Sequence, residues 1–103
     1  MTELVATAES NGLVRYRMIL FIAGQAANSR AARLNLANLC RCELGGRCEV
    51  EIIDVLEDFD AAIRHNILVT PTLLVREPGP PVTIVGDLGD RAKLRRALHL
   101  GDA

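Results

Sequence analysis

The stretch NILVTPTLLV (Asn66–Val75) decides the fold, because a proline interrupts an apolar run that otherwise has the composition of a buried β-strand. Proline has no backbone N–H to donate to a strand ladder, and it restricts the preceding residue to extended conformations. The strand therefore either begins at Pro71 or is entered through an unusual X-Pro bond. Which of the two holds depends on the elements on either side.

The flanking segments contain three further strand patterns. YRMILFIAG (residues 16–24) is rich in β-branched and aromatic residues and is ended by glycine, which predicts a first strand. CEVEIIDVL (residues 48–56) becomes nearly continuously apolar, which predicts a strand covered on much of both faces. REPGPP (residues 76–81) is a turn that leads into VTIV (residues 82–85), so the opening stretch and VTIV form a predicted hairpin.

Three segments have helical patterns. A helix is predicted from about Ser29 to Leu44, with Asn28 or Ser29 as its cap and Gly45-Gly46 after its end. EDFDAAIRHN (residues 57–66) predicts a short helix with Asp58 or Asp60 near its start. A last helix follows Asp90, which is placed to cap it.

The resulting order, β-α-β-α-β-β-α, predicts an α/β fold of the thioredoxin-like type. The first β-α-β unit requires a right-handed crossover and parallel strands, whereas the closing hairpin is antiparallel. In this architecture the third strand is entered through an X-Pro bond that is usually cis and lies beside the start of the first helix. Thr70-Pro71-Thr72 falls at that place, so a cis Pro71 loop is predicted although only about 5% of X-Pro bonds are cis.

The chain lacks the cysteines with which thiol-disulfide oxidoreductases of the thioredoxin-like fold carry out catalysis. A thiol-disulfide oxidoreductase carries Cys-x-x-Cys at the start of the first helix, where the helix N-terminus lowers the thiol pKa. This chain has GQAANS (residues 24–29) there, so redox catalysis is not expected. The alternative is a glutathione- or thiol-dependent enzyme in which the Ser29 hydroxyl faces the proline loop. Ser29 as a helix cap is the simpler interpretation.

Neither a metal nor a cofactor is predicted. The cysteines are Cys40, Cys42 and Cys48; their odd number argues against a disulfide framework, and Cys40 and Cys42 face opposite sides of a helix. Cys40 is expected to be a small core residue. The acidic residues around the second helix are better explained as caps than as ligands of a divalent ion; they are Asp54, Glu57, Asp58 and Asp60.

The composition and net charge argue against two further classes of function. The chain has 103 residues, half of them hydrophobic, and a formal net charge of −1, so neither nucleic-acid binding nor membrane insertion is expected. Residues 1–14 are polar and aperiodic and are predicted to be disordered, followed by a single domain over residues 15–103. The absence of a signal-like start predicts a cytoplasmic protein.

Four blocks of sequence resemble one known family. They are YRMILFIAGQAANSRAA (residues 16–32), IIDVL (residues 52–56), NILVTPTLLV (residues 66–75) and PPVTIVGDLGDRAKL (residues 80–94). In this order and spacing they are similar to the KaiB family, and the resemblance extends over roughly residues 16–100. It implies a non-enzymatic regulator, in circadian or stress-related control, that binds a KaiC-type hexameric ATPase or a divergent signalling partner.

The resemblance also implies two folds and self-association. One fold is thioredoxin-like, and the other rearranges the second half of the chain into a tetramer, so a homo-oligomer (dimer or tetramer) is expected. Ala97 and His99 replace glycine and an acidic residue of the family pattern, and both changes favour the last helix and hence the thioredoxin-like state. Candidate partner-binding residues lie on the second strand and the last helix: Glu49, Glu51, Arg91, Lys93 and Arg95. The two glutamates depart in charge from the family pattern, which leaves the identity of the partner open.

Overall fold

The computed structural model describes residues 15–78 and 80–98. The predicted disorder of residues 1–14 and the argument from His99 lie outside these residues. Seven elements follow one another in the predicted order: β1 (Tyr16–Ile22), α1 (Ala27–Cys42), β2 (Cys48–Asp54), α2 (Phe59–Arg64), β3 (Thr72–Glu77), β4 (Val82–Val85) and α3 (Arg91–Ala97).

The four strands form one mixed sheet in the order β2-β1-β3-β4. β1 and β2 are parallel, with Met18 opposite Val50, and β3 runs antiparallel to both β1 and β4. The Thr70–Pro71 bond is cis, and β3 begins at the next residue. The predicted thioredoxin-like fold and the cis proline are therefore confirmed, and the proline of the opening stretch precedes the strand instead of interrupting it.

Helices cover both faces of the sheet. On one face, alternate residues of β1 pack with α1 and α3 in the larger cluster, which includes Met18, Leu20, Leu36, Leu39 and Leu94. On the other face, the intervening residues Ile19 and Phe21 pack with Ala61 of α2. Alternation along the strands sorts the apolar side chains between the two layers, and α1 brings the larger apolar surface to its side.

The structure contradicts one expectation about β2. This strand was expected to be covered on much of both faces, but it lies at the sheet edge, and Val50 and Ile52 are 38% and 45% exposed. Among the described strands, only β1 pairs with β2. The apolar side chains of β2 face a groove beside α1 that is lined by Leu36, Ala37 and Cys40. A continuous apolar pattern does not distinguish a central strand from an edge strand, because both can face a neighbouring layer.

The first helix also differs from its prediction. It begins at Ala27, two residues before the predicted start, and its N-cap Ala26 has no side chain that can accept a hydrogen bond. Ser29 therefore lies in the first turn and is not the cap. The helix ends at Cys42, and Gly45 and Gly46 follow with φ of 60° and 78°, conformations that favour glycine.

The two predicted aspartate caps are confirmed. The Ala61 N–H donates to Oδ1 of Asp58 at 3.1 Å, and the Lys93 N–H donates to Oδ1 of Asp90 at 3.0 Å. Each carboxylate thus satisfies a backbone donor that the helix itself leaves unpaired.

Candidate functional site

The loops that meet at the Pro71 end of the sheet are held together by one carboxylate. Asp54, the last residue of β2, accepts hydrogen bonds at Oδ1 from the N–H groups of Gly24 and Leu56, both at 3.0 Å. Gly24 follows β1 and has φ of 57°, so its N–H can turn toward β2 at little conformational cost. Asp54 therefore joins the loops after β1 and β2, and the cap of the following helix is Asp58 instead.

The cis-proline loop is equally well anchored. The Thr72 hydroxyl donates to the Val69 carbonyl oxygen at 2.7 Å, and the Gly86 N–H donates to the Pro71 carbonyl oxygen at 2.9 Å. Pro71 and Thr72 are buried and Thr70 is half-buried. One hydrogen bond within the loop and one from Gly86, the residue after β4, therefore hold the loop in place.

The Ser29 hydroxyl, on which the glutathione-dependent alternative depends, already has a hydrogen-bond partner. The side chain is 1% exposed, and its Oγ accepts a hydrogen bond from the Ala23 N–H at 3.0 Å. A hydroxyl that holds a bound thiolate must be accessible from the loop surface. The geometry gives no support to the glutathione-dependent alternative.

Exposed apolar side chains lie in the loops at the same end of the sheet as the cis-proline loop. We define the loop-end surface as Leu56, Leu68 and Val69, all exposed and all in the loops that join strands and helices at this end; Leu68 is 92% exposed. Single exposed apolar residues are ordinary, but adjacent ones in anchored loops mark candidate interaction sites. The sequence prediction missed this surface, although apolar residues next to Pro71 were a visible signal.

Glu49 and Glu51 lie on the sheet face that α2 partly covers. Glu49 accepts hydrogen bonds from Nε of Arg17 at 3.0 Å and Nε of Arg15 at 3.1 Å, and these bonds, that from Arg17 first, lower the pKa of its carboxyl. Both glutamates line a charged groove of about 370 Å³ that also includes Arg76. In the described part of the chain Glu51 forms no ion pair.

The three basic candidates lie on α3, and two of them are paired. Glu43, at the end of α1, accepts a hydrogen bond from Nη1 of Arg91 at 3.1 Å and also binds Nη1 of Arg95. Lys93 is exposed and, among residues 15–78 and 80–98, forms no ion pair. Sequence reasoning missed Glu43, because 48 residues separate it from Arg91.

The structure does not bring the five predicted partner-binding residues into one patch. The glutamates of β2 point to the α2 face, whereas Leu94 of α3 packs on the opposite face with α1. Within the described residues, Glu51 and Lys93, one on each face, are the two members of the set that form no ion pair.

No cluster of three or more histidine, cysteine or acidic side chains suited to a metal occurs within the described ranges. Within the same ranges, none of the helices combines the length and apolar character needed to cross a bilayer.

The sheet order and the cis-proline loop, together with GQAANS in place of the Cys-x-x-Cys motif, define a thioredoxin-like protein that lacks the thiols of the redox enzymes.

Comparison with known proteins gives the family. Residues 19–100 match the KaiB domain model, so the chain belongs to the KaiB family. It is 38% identical over 81 residues to circadian clock protein KaiB3 of a Synechocystis species, covering 79% of each chain. It is 39% identical over 85 residues to the circadian clock oscillator protein KaiB of Synechococcus elongatus, covering 82% of this chain and 83% of the relative.

Solved structures agree on the fold. The N-terminal domain of SasA from Synechococcus elongatus superposes with a TM-score of 0.67 at 21% identity, covering 87% of this chain and 89% of that domain. Fasciola hepatica thioredoxin superposes with a TM-score of 0.66 at 19% identity, covering 92% and 88% of the two chains. At these identities the likeness concerns the fold alone.

Proposed function

We propose that this protein is a non-enzymatic regulator that acts by binding a KaiC-type ATPase or a related signalling partner. The observation that carries the proposal is a thioredoxin-like frame with its cis-proline loop intact and GQAANS in place of the redox motif, in a chain of the KaiB family. Such a frame retains a shaped surface but has no cysteine at the start of the first helix. Binding is the function that this combination supports.

The relatives support the regulatory character of the proposal. Their names describe circadian clock proteins, and the similarity covers about four-fifths of each chain. The charges on β2 and α3 bear on which partner this chain takes. Glu49, Arg91 and Arg95 are paired within the protein, so a partner gains little from them unless it displaces those contacts.

The proposed partner contacts therefore centre on Glu51 and Lys93, which are exposed and form no ion pair within residues 15–78 and 80–98, together with the loop-end surface. A partner that touches Glu51 approaches the edge strand β2, and one that touches Lys93 approaches α3. Because these residues lie on opposite faces, single charge reversals separate the two approaches. Like charges brought together across an interface cost several kcal/mol, which weakens a complex at least tenfold because about 1.4 kcal/mol corresponds to a factor of ten.

The test is co-elution of the full chain with the KaiC-type ATPase of the same organism, with and without nucleotide. We expect a complex, weakened at least tenfold by Glu51→Lys or Lys93→Glu according to the face used, and by Leu68→Asp if the loop-end surface takes part. Arg96→Glu on α3 and Thr83→Lys on β4 are the matched controls, since both residues are exposed and lie outside the proposed contacts.

Absence of any complex under both nucleotide conditions would overturn the proposal that a KaiC-type ATPase is the partner. A complex that tolerates all three variants would overturn the assignment of the contacts. A thiol-transfer assay with glutathione tests the enzyme alternative, for which we expect no activity above that of free thiol.

A further inference from the structure

Two of the three cysteines lie close together, although they are eight positions apart along the chain. Cys40 lies in the last turn of α1 and Cys48 begins β2; both are half-buried, both pack against the larger core cluster, and each thiol affects the pKa of the other. Cys42 is exposed. The sequence argument against a disulfide framework rested on an odd number of cysteines, and it said nothing about which two are neighbours.

Backbone contacts on both sides hold this pair in place. The Gly46 N–H donates to the Cys40 carbonyl oxygen at 2.9 Å, which turns the chain back after the helix. The Tyr16 N–H donates to the Arg47 carbonyl oxygen at 2.8 Å, and Tyr16 is the register partner of Cys48 in β1. The positions of both cysteines therefore follow from secondary structure and do not depend on a mobile loop.

The pair is also accessible to a small reagent. Cys40 and Cys48 line the groove between α1 and β2, which has a volume of about 720 Å³ and a mainly apolar wall that includes Val50 and Ile52. A molecule in this groove therefore lies against both cysteines. Cys42 does not line the groove.

We propose that Cys40 and Cys48 are a redox-modification site that closes into a reversible intramolecular disulfide by exchange with a small-molecule disulfide. This inference goes beyond the proposed function and does not depend on it. It assigns chemistry to the end of the sheet opposite the cis-proline loop, where thioredoxin-like enzymes do not have their active site.

The exchange takes place in two balanced steps. The Cys40 thiolate attacks one sulfur of the oxidant, for example oxidised glutathione; a mixed disulfide forms, and one glutathione thiolate leaves with the electron pair of the broken S–S bond. Cys48 then loses its proton and attacks the Cys40 sulfur, releasing the second glutathione thiolate. The two cysteines are oxidised, one oxidant molecule is reduced, and the two protons end on the two glutathiones.

The environment decides the order of attack and the rate. Burial raises the pKa of both thiols; the hydrogen bond between them counteracts this effect at Cys40 and adds to it at Cys48. Cys40 is therefore the better first nucleophile. Because the thiolate is the reactive form, the reaction is slow at neutral pH and accelerates as the pH rises.

Trypsin makes the test direct, because arginines separate the three cysteines. Cleavage after Arg33, Arg41, Arg47 and Arg64 places Cys40, Cys42 and Cys48 in peptides 34–41, 42–47 and 48–64. The reduced full chain is incubated with oxidised glutathione, quenched with acid, alkylated and digested for mass spectrometry. We expect peptide 34–41 linked to 48–64, faster formation at higher pH, and full reversal by a thiol reductant.

Variants and an unfolded control keep the result decisive. Cys42→Ser should retain the linked peptides, whereas Cys48→Ser should stop at the glutathione adduct of Cys40. The same oxidation in concentrated urea should give mixed pairings that include Cys42. The proposal is overturned if the folded chain gives that same mixture, links Cys42 preferentially, or retains two free thiols at residues 40 and 48.

Discussion

Replacing Ser29 by alanine removes the hydroxyl that joins the loop after β1 to the first turn of α1. The Oγ of Ser29 accepts the Ala23 N–H at 3.0 Å and is 1% exposed, so water does not readily replace it. A hydrogen bond of this kind contributes about 1 kcal/mol, and leaving a donor without a partner costs about 1–3 kcal/mol. Alanine recovers roughly 0.5 kcal/mol through its higher helix propensity.

The expected net loss is therefore about 1–2 kcal/mol in the free energy of unfolding, or roughly 5–10 °C in melting temperature for a domain of this size. Urea denaturation followed by circular dichroism measures it, and an unchanged m-value would show that the unfolded state is unaffected. Asn28→Ala is the matched control, because Asn28 lies in the same turn but is exposed. Equal stability of the two variants would refute the structural role assigned to Ser29.

Three further predictions concern stability and follow from single contacts. Glu49→Gln should destabilise the fold at neutral pH but have less effect in acid. Hydrogen bonds from Arg17 and Arg15 lower the pKa of the Glu49 carboxyl in the folded state. The resulting stabilisation is present above the pKa of the unfolded state and is lost as the pH falls through the pKa of the folded state. An equal difference at both pH values in urea titrations would contradict this. Asp90→Ala should cost about 1 kcal/mol by removing the cap on the Lys93 N–H, and Asp90→Asn should restore most of it in the same titration. Leu20→Ala should cost about 3 kcal/mol, since Leu20 is fully buried, whereas Leu34→Ala at an exposed position should change stability by less than about 0.5 kcal/mol. Similar thermal stabilities for these two leucine variants would show that the core is wrongly assigned.

Local patterns accounted for most of the fold. The order of elements and the caps at Asp58 and Asp90 depend on side chains that bond to backbone only a few residues away, so they are visible in a single sequence. The start of α1 was misplaced because Ser29 satisfies the Ala23 N–H of the preceding loop, whereas a cap would accept from a later residue of its own helix. A second cis bond, Glu77–Pro78, was not anticipated either.

The candidate site was less accessible to sequence reasoning. The five charged residues were correctly placed on β2 and α3, but their availability depends on partners far away along the chain, such as Glu43 for Arg91 and Arg95. Arg15 and Arg17 engage Glu49 across neighbouring strands in the same way. Pairing of this kind follows from sheet order and helix packing, neither of which a local pattern encodes.

By itself the sequence determined the order of strands and helices and the missing redox motif, because periodicity, turn chemistry and the presence or absence of a cysteine are properties of neighbouring residues. The cis Pro71 loop was predicted from the architecture that this order resembles. Only the tertiary structure decided that β2 is an exposed edge, that Glu51 and Lys93 lie on opposite faces without an ion pair among the described residues, and that Cys40 and Cys48 line one groove. These features arise where segments that are distant in the sequence pack together in the fold. They depend on which surfaces the sheet and helices leave uncovered, and that is a property of the assembled layers.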